Sequence, residues 1–414
     1  MSGAQPPRSE IPGKALAAIA FTSFAVCVSL DLFFFGPTPT FPDEGRFLAA
    51  ATGLVNNLQF RVGRAVAWEM PGTALFFAPL RLAFPDHALS AIRIAQASLV
   101  ATQSAMIGTL AALLFRDRLT AILAATIAAV YPFFLFYQGL ALSETLFSFL
   151  LVAGFLGLYH WRQRGAAIEL WLVLPVVILT FATLTKATLT VLPPLLLVFG
   201  AVGVQPVRTL LRIFATASLL YAVLMSPWWI RNYTLLGAFV PFTTSAAANF
   251  YLGNSPNNPR AGTDWSVEKD RPKEDGELER AHVFQNRALS FILAEPAEFA
   301  RRATIKFFRF WNVIPNADQY RGPVYRWLSL LTFGPVLLLA IVCSLTRRAE
   351  FVKFLPIYSL IGYMTVLHVV TIASLRYRLP IEPFLIAMGA HPLANLFHHI
   401  NRYRAHTHNR TASP

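Results

Sequence analysis

The chain has 414 residues, of which 55% are hydrophobic and 14% are charged, and its mean hydropathy is +0.51. Soluble domains usually carry about 25% charged residues, so this balance excludes an ordinary soluble protein and indicates a polytopic membrane protein. The net charge of +14 would suggest nucleic acid if it were clustered on a soluble face. The basic residues instead fall mainly in short loops between apolar runs, where they set membrane topology, so we expect the bilayer and no nucleic acid as their partner.

The first apolar segment, Ala15 to Phe35, is long enough at about 21 residues to cross a hydrocarbon core. It follows Arg8 and Lys14, as the core of a secretory signal would. A cleavable signal, however, has an apolar core of about 7 to 15 residues and a small-residue cleavage site, and Phe-Gly-Pro at the end of this segment offers no such site. We therefore expect a signal anchor that keeps Asp43 and Glu44 in the mature protein.

Further apolar runs follow along the chain. With the first segment they predict an all-α polytopic bundle of about ten transmembrane helices, or eleven or more if shorter runs also cross. The predicted spans lie at about Ala88 to Phe115, Leu119 to Phe136, Ala141 to Tyr159, Leu170 to Leu184, Ala187 to Val204, Thr209 to Trp228, Tyr325 to Leu345, Phe351 to Ile372 and Leu379 to Phe397.

The run from Met70 to Phe84 is apolar but only about 15 residues long, so it can be interfacial or re-entrant. If it does not cross, the basic loops all fall on one side, which the positive-inside rule assigns to the cytoplasm. If it crosses, every later loop is inverted. We therefore expect ten spans with both termini cytoplasmic. The basic loops are Arg116 to Arg118, Arg162 to Arg164, Arg208 with Arg212, Arg347 with Arg348 and Lys353, and the C-terminal tail.

In this topology the N-terminus, 1–14, and the C-terminal tail, 398–414, are cytoplasmic, and the rest of the chain lies between them. An N-terminal transmembrane module covers 15–230 and includes an outer loop at 36–87, which we expect to carry a functional site because Asp43 and Glu44 lie in it. A second outer loop at 231–324 precedes the C-terminal spans at 325–397. Within that second loop, Asn254 to Glu279 is rich in Pro, Asn, Gly and charge, which is typical of a surface loop or lid.

Helical spacing resumes from Pro296, where aromatic and basic residues fall on different faces. This pattern predicts an interfacial helix with aromatics in lipid and cations near phosphates. A helix packed on the membrane domain without ligand contact fits equally well, and the sequence leaves both open. The apolar positions are Phe299, Ala303, Phe307, Phe310 and Trp311, and the basic ones are Arg301, Arg302, Lys306 and Arg309.

Charged residues gather at predicted helix ends on the outer side of this topology. Carboxylates near hydrocarbon are costly and usually functional, and a shared compartment is a prerequisite for a shared site. Asp31, at the outer end of the first span, is expected to be structural. The outer residues are Asp43, Glu44, Glu69, Glu144, Lys186, Arg231, Asn232, Arg376 and Arg378.

Six local strings occur in an order that matches a known pattern. Together they resemble bacterial glycosyltransferases of the GT-C superfamily, of the protein O-mannosyltransferase and aminoarabinose transferase type, over nearly the whole chain from Ala15 to Pro392. The strings are Phe-Pro-Asp-Glu-Gly-Arg-Phe-Leu-Ala-Ala-Ala at 41–51, Leu-Ser-Glu-Thr-Leu-Phe at 142–147, Leu-Thr-Lys-Ala-Thr at 184–188, Pro-Trp-Trp-Ile-Arg-Asn-Tyr at 227–233, Leu-Gly-Asn at 252–254 and Arg-Tyr-Arg-Leu-Pro at 376–380.

The resemblance implies an enzyme of the bacterial inner membrane that moves a sugar from a polyprenyl-phosphate carrier to a lipid, glycan or protein at the periplasmic face. The catalytic carboxylate pair of the first outer loop maps onto Asp43 and Glu44, and a further carboxylate of the same cavity maps onto Glu144. Family members commonly have Arg-Pro where this chain has Lys186 and Ala187. A lysine keeps the charge but cannot grip phosphate with two parallel hydrogen bonds.

Glycosyl transfer also has chemical requirements that these residues meet. A base must take the acceptor's proton as it attacks the anomeric carbon, and Asp43 is the predicted base. The departing phosphate needs fixed cations, for which Lys186, Arg231, Arg376 and Arg378 are candidates. Because the carrier leaves as an anion, no strong general acid is required, in contrast to glycosidases. Direct displacement with inversion is the simplest mechanism.

Plainer roles remain open for the same residues. Asp43 can cap the helical run that follows it, Glu144 can cap or pair at a helix start, and Lys186 can reach to the interface. The three arginines can be interfacial anchors. A rival function is a non-enzymatic flippase or transporter of lipid-linked sugars, although a transporter more often has broken helices or repeat symmetry with charges at mid-membrane.

Cofactors are not demanded by the sequence. A metal near Asp43 and Glu144 would be a hard divalent cation, and the absence of a phosphate-cradling glycine motif favours a lipid-linked donor over a nucleotide sugar. Cys27 and Cys343 lie in apolar runs and predict neither a disulfide nor a zinc site. The histidines of the basic tail are expected to be solvated; they are His398, His399, His406 and His408.

Overall fold

Helices make up the regular structure of the computed structural model, which describes residues 11–262, 272, 276–316 and 322–411, with side chains up to 404. Residues 1–10, most of the predicted surface loop beyond 262, and the side chains of His406 and His408 lie outside these ranges. The helices are α1 Gly13–Phe33, α2 Pro42–Asn57, α3 Gly72–Ala83, α4 Ala88–Phe115, α5 Arg118–Ala129, α6 Pro132–Gln138, α7 Glu144–Gln163, α8 Leu170–Thr185, α9 Leu192–Ala201, α10 Val207–Leu236, α11 Ser245–Asn254, α12 Glu277–Ala294, α13 Pro296–Trp311, α14 Pro323–Thr346, α15 Phe351–Val370, α16 Leu375–Arg378 and α17 Glu382–Thr411.

Six helical segments of the described chain are long and apolar enough to cross a membrane, and a bent pair, α5 with α6, would make a seventh. Three shorter apolar helices, α3, α8 and α9, accompany them. The all-helical, multi-pass class predicted from composition is confirmed, whereas the count of about ten spans stays a prediction. The six segments are Gly13–Phe33, Pro85–Phe115, Glu144–Gln163, Val207–Leu236, Pro323–Thr346 and Arg348–Val370.

Prolines account for two differences from the predicted spans. The run from Leu119 to Phe136 is two helices, α5 and α6, that meet at an angle of 47°. Pro132 begins α6, and a proline ring cannot continue the preceding helix because it lacks an N–H and clashes with the turn before it. Likewise, the span predicted from Ala187 begins with a short 3₁₀ helix at Ala187–Leu189 and becomes α-helical only at Leu192, just before Pro193.

Small residues bring α4 close to its neighbours α1, α5 and α7. A Cβ added at Gly108 would lie 2.7 Å from the carbonyl oxygen of Ala121 on α5, and Ala124 and Ala128 beside it are fully buried. Helices in lipid associate through such close packing because lipid supplies little hydrophobic driving force between them. This packing fixes the ends of the helices that carry the charged residues.

The two ends of α4 define the two ends of the bundle. Near its start, Arg93 donates to the carbonyls of Gly36, after α1, and Gly139, between α6 and α7, at 2.6 and 2.8 Å. Its last residue, Phe115, stacks on His391 of α17 with ring centroids 4.2 Å apart. The connection after α1 and the connection before α7 therefore share the end of the bundle opposite to His391.

The helix predicted from Pro296 is present as α13, but two of its cations face inward. Arg302 and Lys306 are 3% and 0% exposed. The Lys306 ammonium donates to the carbonyls of Val370 and Thr371, each at 3.1 Å, and to Oδ1 of Asn254 at 3.0 Å. For these two cations the structure agrees with the second alternative, a helix packed on the membrane domain. Lys306 binds groups at the carboxyl ends of α11 and α15, and Arg302 donates to the carbonyl of Ser255, which follows α11. The exposed aromatics of α13 are Phe307 and Phe308.

Candidate active site at one end of the bundle

Two adjacent carboxylates at the start of α2 point in different directions. Pro42 occupies the first turn, where its fixed φ suits a helix start, and acidic residues beside it are stabilised by the helix dipole. Glu44 is fully buried and accepts backbone N–H groups of Thr40 at 2.7 Å and Ala141 at 2.8 Å. The Asp43 side chain, in contrast, keeps 32% of its surface exposed.

Arg376 joins Asp43 to Glu144. Its Nη1 donates to Oδ2 of Asp43 at 2.7 Å, while Nε and Nη2 bind the two carboxylate oxygens of Glu144. Glu144, the first residue of α7, is fully buried, and Lys186 donates to its Oε1 at 2.6 Å. The geometry gives Arg376 the paired hydrogen bonds that a guanidinium can form with a carboxylate, and it brings four separate regions of the sequence together.

Two further charges complete this cluster. Nη2 of Arg46 lies 2.9 Å from Oδ1 of Asp43 and 3.6 Å from Oε1 of Glu69. Burial raises the pKa of the Glu69 carboxyl, although Arg46 and Arg376 oppose that shift. Glu69 was among the outer residues singled out in the sequence but was assigned no role, and Arg46 was not singled out. Arg46 could have been found from its place three residues after Asp43 on a helix, a spacing at which side chains meet.

A cavity of about 1510 Å³ opens over the cluster. Ligand sites usually measure about 300 to 1000 Å³, so this one has room for more than one substrate group. Lys186 and Arg376 keep 14% and 26% of their side-chain surfaces exposed, which leaves both cations accessible to an anion. The charged residues lining the cavity are Asp43, Arg46, Arg64, Glu69, Lys186, Arg280 and Arg376, and its aromatic residues include Trp68, Tyr251, Phe284, His368 and Tyr377.

Arg231 lies outside the cluster. Its guanidinium donates to the backbone carbonyls of Phe60 at 2.5 Å and Val66 at 2.8 Å, and it lies over the rings of Phe60 and Trp228. These contacts attach the connection between α2 and α3 to α10. The structure therefore places this predicted phosphate ligand in a position that organises the backbone.

Arg378 is likewise separate, although it is two residues from Arg376. It is fully buried, pairs with Glu382 at 2.6 Å and donates to the carbonyl of Asn312 at 2.6 Å. Its guanidinium carbon lies 3.3 Å from the ring centroid of Phe333. Of the seven predicted site residues, the cluster brings together Asp43, Glu144, Lys186 and Arg376, and it does not include Glu44, Arg231 and Arg378.

Metal ligation was considered for the acidic residues and the tail histidines. Among the residues that the structure describes, no group of three or more His, Cys, Asp and Glu side chains is placed to hold a metal ion. Asp43, Glu69 and Glu144 each face cations. His398 lies 3.2 Å from Asp117 at the opposite end of the bundle.

The helix arrangement corresponds to that of solved membrane proteins of the GT-C fold, which confirms the fold predicted from the ordered motifs. The sequence itself matches no family profile and no curated protein. The likeness to solved structures, at low identity, therefore establishes the fold alone.

The archaeal oligosaccharyltransferase AglB from Archaeoglobus fulgidus, in complex with an inhibitory peptide and a dolichol-phosphate, is similar with a TM-score of 0.59 and 14% identity, over 96% of this chain and 52% of that one. The apo form of the oligosaccharyltransferase from the same organism gives 0.57 and 12%, over 96% and 52%. ArnT from Cupriavidus metallidurans bound to undecaprenyl phosphate is less similar, with a TM-score of 0.42 and 13% identity, over 91% of this chain and 76% of that one. The chain spans about half the length of the oligosaccharyltransferase chains.

Proposed function

We propose that the protein is a membrane glycosyltransferase that moves a sugar from a polyprenyl-phosphate carrier to an acceptor at the periplasmic face of a bacterial inner membrane. The observation that carries this proposal is the Asp43–Arg376–Glu144–Lys186 cluster beneath a large cavity. The oligosaccharyltransferase that shares the fold was solved with a dolichol-phosphate and a peptide, which supports a lipid-linked donor. The acceptor is a lipid, a glycan or a protein.

Asp43 is the proposed base. It combines a carboxylate partly open to the cavity with a fixed orientation, because Arg46 and Arg376 hold its two oxygens. An acceptor hydroxyl or amide that attacks the anomeric carbon would release its proton to this carboxylate. The bond from that carbon to the carrier phosphate breaks at the same time, so the sugar is transferred with inversion.

Lys186 and Arg376 are the proposed ligands of the carrier phosphate. Glu144 holds both from below, so their charges are already oriented when the donor arrives. Preorganised cations stabilise the charge that develops on a leaving group without reorganising during the reaction. Glu144 is thus a positioning residue, and its full burial supports a role beneath the reacting atoms.

The proposed outer location of the cluster follows from the basic residues at the other end. Arg347 and Lys353 pair with Glu350 there, and Asp117 lies in the basic loop between α4 and α5. Short loops with excess positive charge are typical of the cytoplasmic side. In a transporter, the charges would lie at mid-membrane in broken helices. Here the cluster lies at the ends of α7 and α8, which supports a transferase over a transporter.

The test is sugar transfer by purified protein in lipid nanodiscs, with a panel of hexosyl and pentosyl polyprenyl phosphates as donors and envelope glycolipid extract or peptides as acceptors. Asp43→Asn should lower transfer by about 10² to 10⁴ while the protein remains inserted and stable. Asp86→Asn, which removes an exposed carboxylate outside the cavity, is the matched control and should transfer normally. Transfer at the wild-type rate by Asp43→Asn would refute the catalytic role.

A further inference from the structure

His368 is a histidine of the cavity wall that the proposed chemistry does not use. It lies near the end of α15 and is 4% exposed. Its imidazole is held between two aromatic rings, parallel to Tyr377 within 7° at a centroid distance of 4.6 Å and to Phe310 within 17° at 5.7 Å. The orientation of the ring is therefore fixed by packing.

The two ring nitrogens of His368 have different surroundings. Nδ1 lies 3.0 Å from the carbonyl oxygen of Ile372. Because a carbonyl oxygen only accepts, Nδ1 carries the proton in this contact, and in the neutral imidazole Nε2 then presents a lone pair. Among the residues that the structure describes, no hydrogen-bond donor contacts Nε2, and the side chain lines the cavity. A hydrogen-bond acceptor of fixed direction is thus available there to a ligand.

His391 is a useful contrast at the opposite end of the bundle. It too is packed against an aromatic ring, stacked on Phe115 within 7°. Its Nε2, however, lies 2.8 Å from Nη2 of Arg347 and 3.1 Å from Nδ2 of Asn395. Protein groups therefore occupy the nitrogen that His368 leaves open, so stacking alone does not explain the accessible Nε2 of His368.

The position of His368 relates it to the proposed phosphate ligands. Tyr377, which stacks on His368, follows Arg376 in the chain, and Nζ of Lys186 lies 5.5 Å from the centre of the Tyr377 ring. One aromatic ring thus separates the imidazole from the cations. Lys186, Arg376, Tyr377 and His368 all line the same cavity, so a sugar attached to a phosphate held by those cations would occupy a space that His368 borders.

We propose that His368 is a specificity-determining residue whose Nε2 accepts a hydrogen bond from a hydroxyl group of the donor sugar. This inference rests on the proposed glycosyl transfer and adds a named contact to it. A site with an oriented acceptor discriminates against a sugar that lacks the matching hydroxyl, because its polar group is then left unpaired. A neutral acceptor also suits a hydroxyl donor and offers nothing to a phosphate, which itself only accepts.

The kinetic test uses mannosyl and glucosyl farnesyl phosphates and their monodeoxy analogues as donors. For wild-type protein, removal of one particular hydroxyl should lower kcat/KM about five- to tenfold, the effect of one neutral hydrogen bond. His368→Asn keeps an amide N–H that can donate to Ile372 but has no acceptor at the position of Nε2, so it should lower kcat/KM for the parent sugar by a similar factor. The same deoxy donor should then suffer no additional loss. His368→Gln, which can place an amide oxygen near the Nε2 position, should recover part of the activity.

A binding measurement separates failure of this contact from failure of the proposed function. Protein labelled with ¹⁵N-histidine in detergent micelles gives Nε2 resonances from its histidines. The resonance that disappears in His368→Asn is assigned to His368. Addition of the farnesyl-phosphate sugar should shift the His368 signal and leave that of His391 unchanged. Suppose that the wild-type protein transfers sugar, and that each deoxy donor lowers kcat/KM by the same factor with wild type and with His368→Asn. The inference about His368 is then wrong, while the proposed transferase function stands. If no transfer occurs, a shift supports the contact, and no shift overturns it.

Discussion

Arg376 and Arg378 occupy the same four-residue helix, α16, yet they belong to different regions of the molecule. Arg376 faces the cavity, keeps 26% of its side chain exposed and binds Asp43 and Glu144. Arg378 points into the protein, is fully buried and pairs with Glu382 of α17. The first can exchange part of its contacts for a ligand, whereas the second is enclosed. The difference shows that accessibility, and not charge or sequence proximity, separates a candidate ligand from a structural cation.

The strongest test of this comparison removes the enclosed cation. Arg378→Met leaves the Glu382 carboxylate buried without its partner, which we expect to destabilise the folded protein by about 3–5 kcal/mol. The measurement is the free energy of unfolding in mixed micelles. The double variant with Arg378→Met and Glu382→Leu should regain most of this stability and transfer sugar at a rate near that of wild type. Persistent loss of transfer by a stable double variant would contradict the structural assignment of Arg378.

The corresponding substitution of the cavity arginine should lower activity and leave stability nearly unchanged. Arg376→Lys keeps a positive charge but cannot bridge two carboxylates with paired hydrogen bonds. We expect kcat to fall by about 10², the lower range for losing an oriented transition-state donor, while stability changes by less than about 1 kcal/mol. Transfer rates and thermal unfolding of the same preparations decide the point. A large drop in melting temperature with unchanged kcat per folded molecule would reverse the roles assigned to the two arginines.

Sequence alone predicted the multi-pass membrane class, which hydropathy determines, and it predicted the fold through the resemblance of six ordered strings to GT-C glycosyltransferases. It also grouped Asp43, Glu144, Lys186 and Arg376 on one side of the predicted topology, and the structure brings these four residues together. It selected Asp43 as the base but kept Glu44 in the catalytic pair, and it could not predict that Glu44 is fully buried. Successive residues of a helix point about 100° apart, and which one faces a cavity depends on the helices that pack around it. The same limit applies to Arg376 and Arg378. Arg231 was indistinguishable from a phosphate ligand because the carbonyls it binds carry no sequence signal.

Other differences between the predicted and the observed structure have causes that were partly visible in the sequence. Pro132 marked the break between α5 and α6, although the apolar run passes through it without interruption. Arg46 was also visible at helical spacing from Asp43. In contrast, the inward position of Lys306 depends on carbonyl groups at the carboxyl ends of two other helices, and no local pattern predicts such a partner.

The smallest expected effect concerns Glu69, whose ionisation changes the charge of the accessible cluster around Arg376. The enclosed pair of Arg378 and Glu382 should not respond in this way. Burial raises the pKa of its carboxyl above the ordinary value, so the group ionises as pH rises through that raised value and adds negative charge beside Arg46. Donor phosphate should then bind less tightly, and KM should increase about two- to fivefold, equivalent to roughly 0.4–1 kcal/mol of partly screened repulsion. The folded protein also holds this proton more tightly than the unfolded chain, so its contribution to stability is present below the ordinary pKa and is lost as pH rises through the raised one.

Glu69→Gln should therefore flatten the dependence of donor KM on pH as pH rises through the raised pKa of Glu69 and remove that loss of stability. We expect kcat to be largely unchanged because the residue is not a proposed base. Its control is Glu279→Gln, which removes an exposed carboxylate that does not line the cavity and should leave the pH profile as in wild type. If Glu69→Gln reproduces the wild-type KM profile, the cavity charge that the donor experiences comes from Asp43 and the cations alone. If it abolishes kcat instead, Glu69 belongs with Asp43 among the reacting groups, and the accessible region then contains two candidate bases.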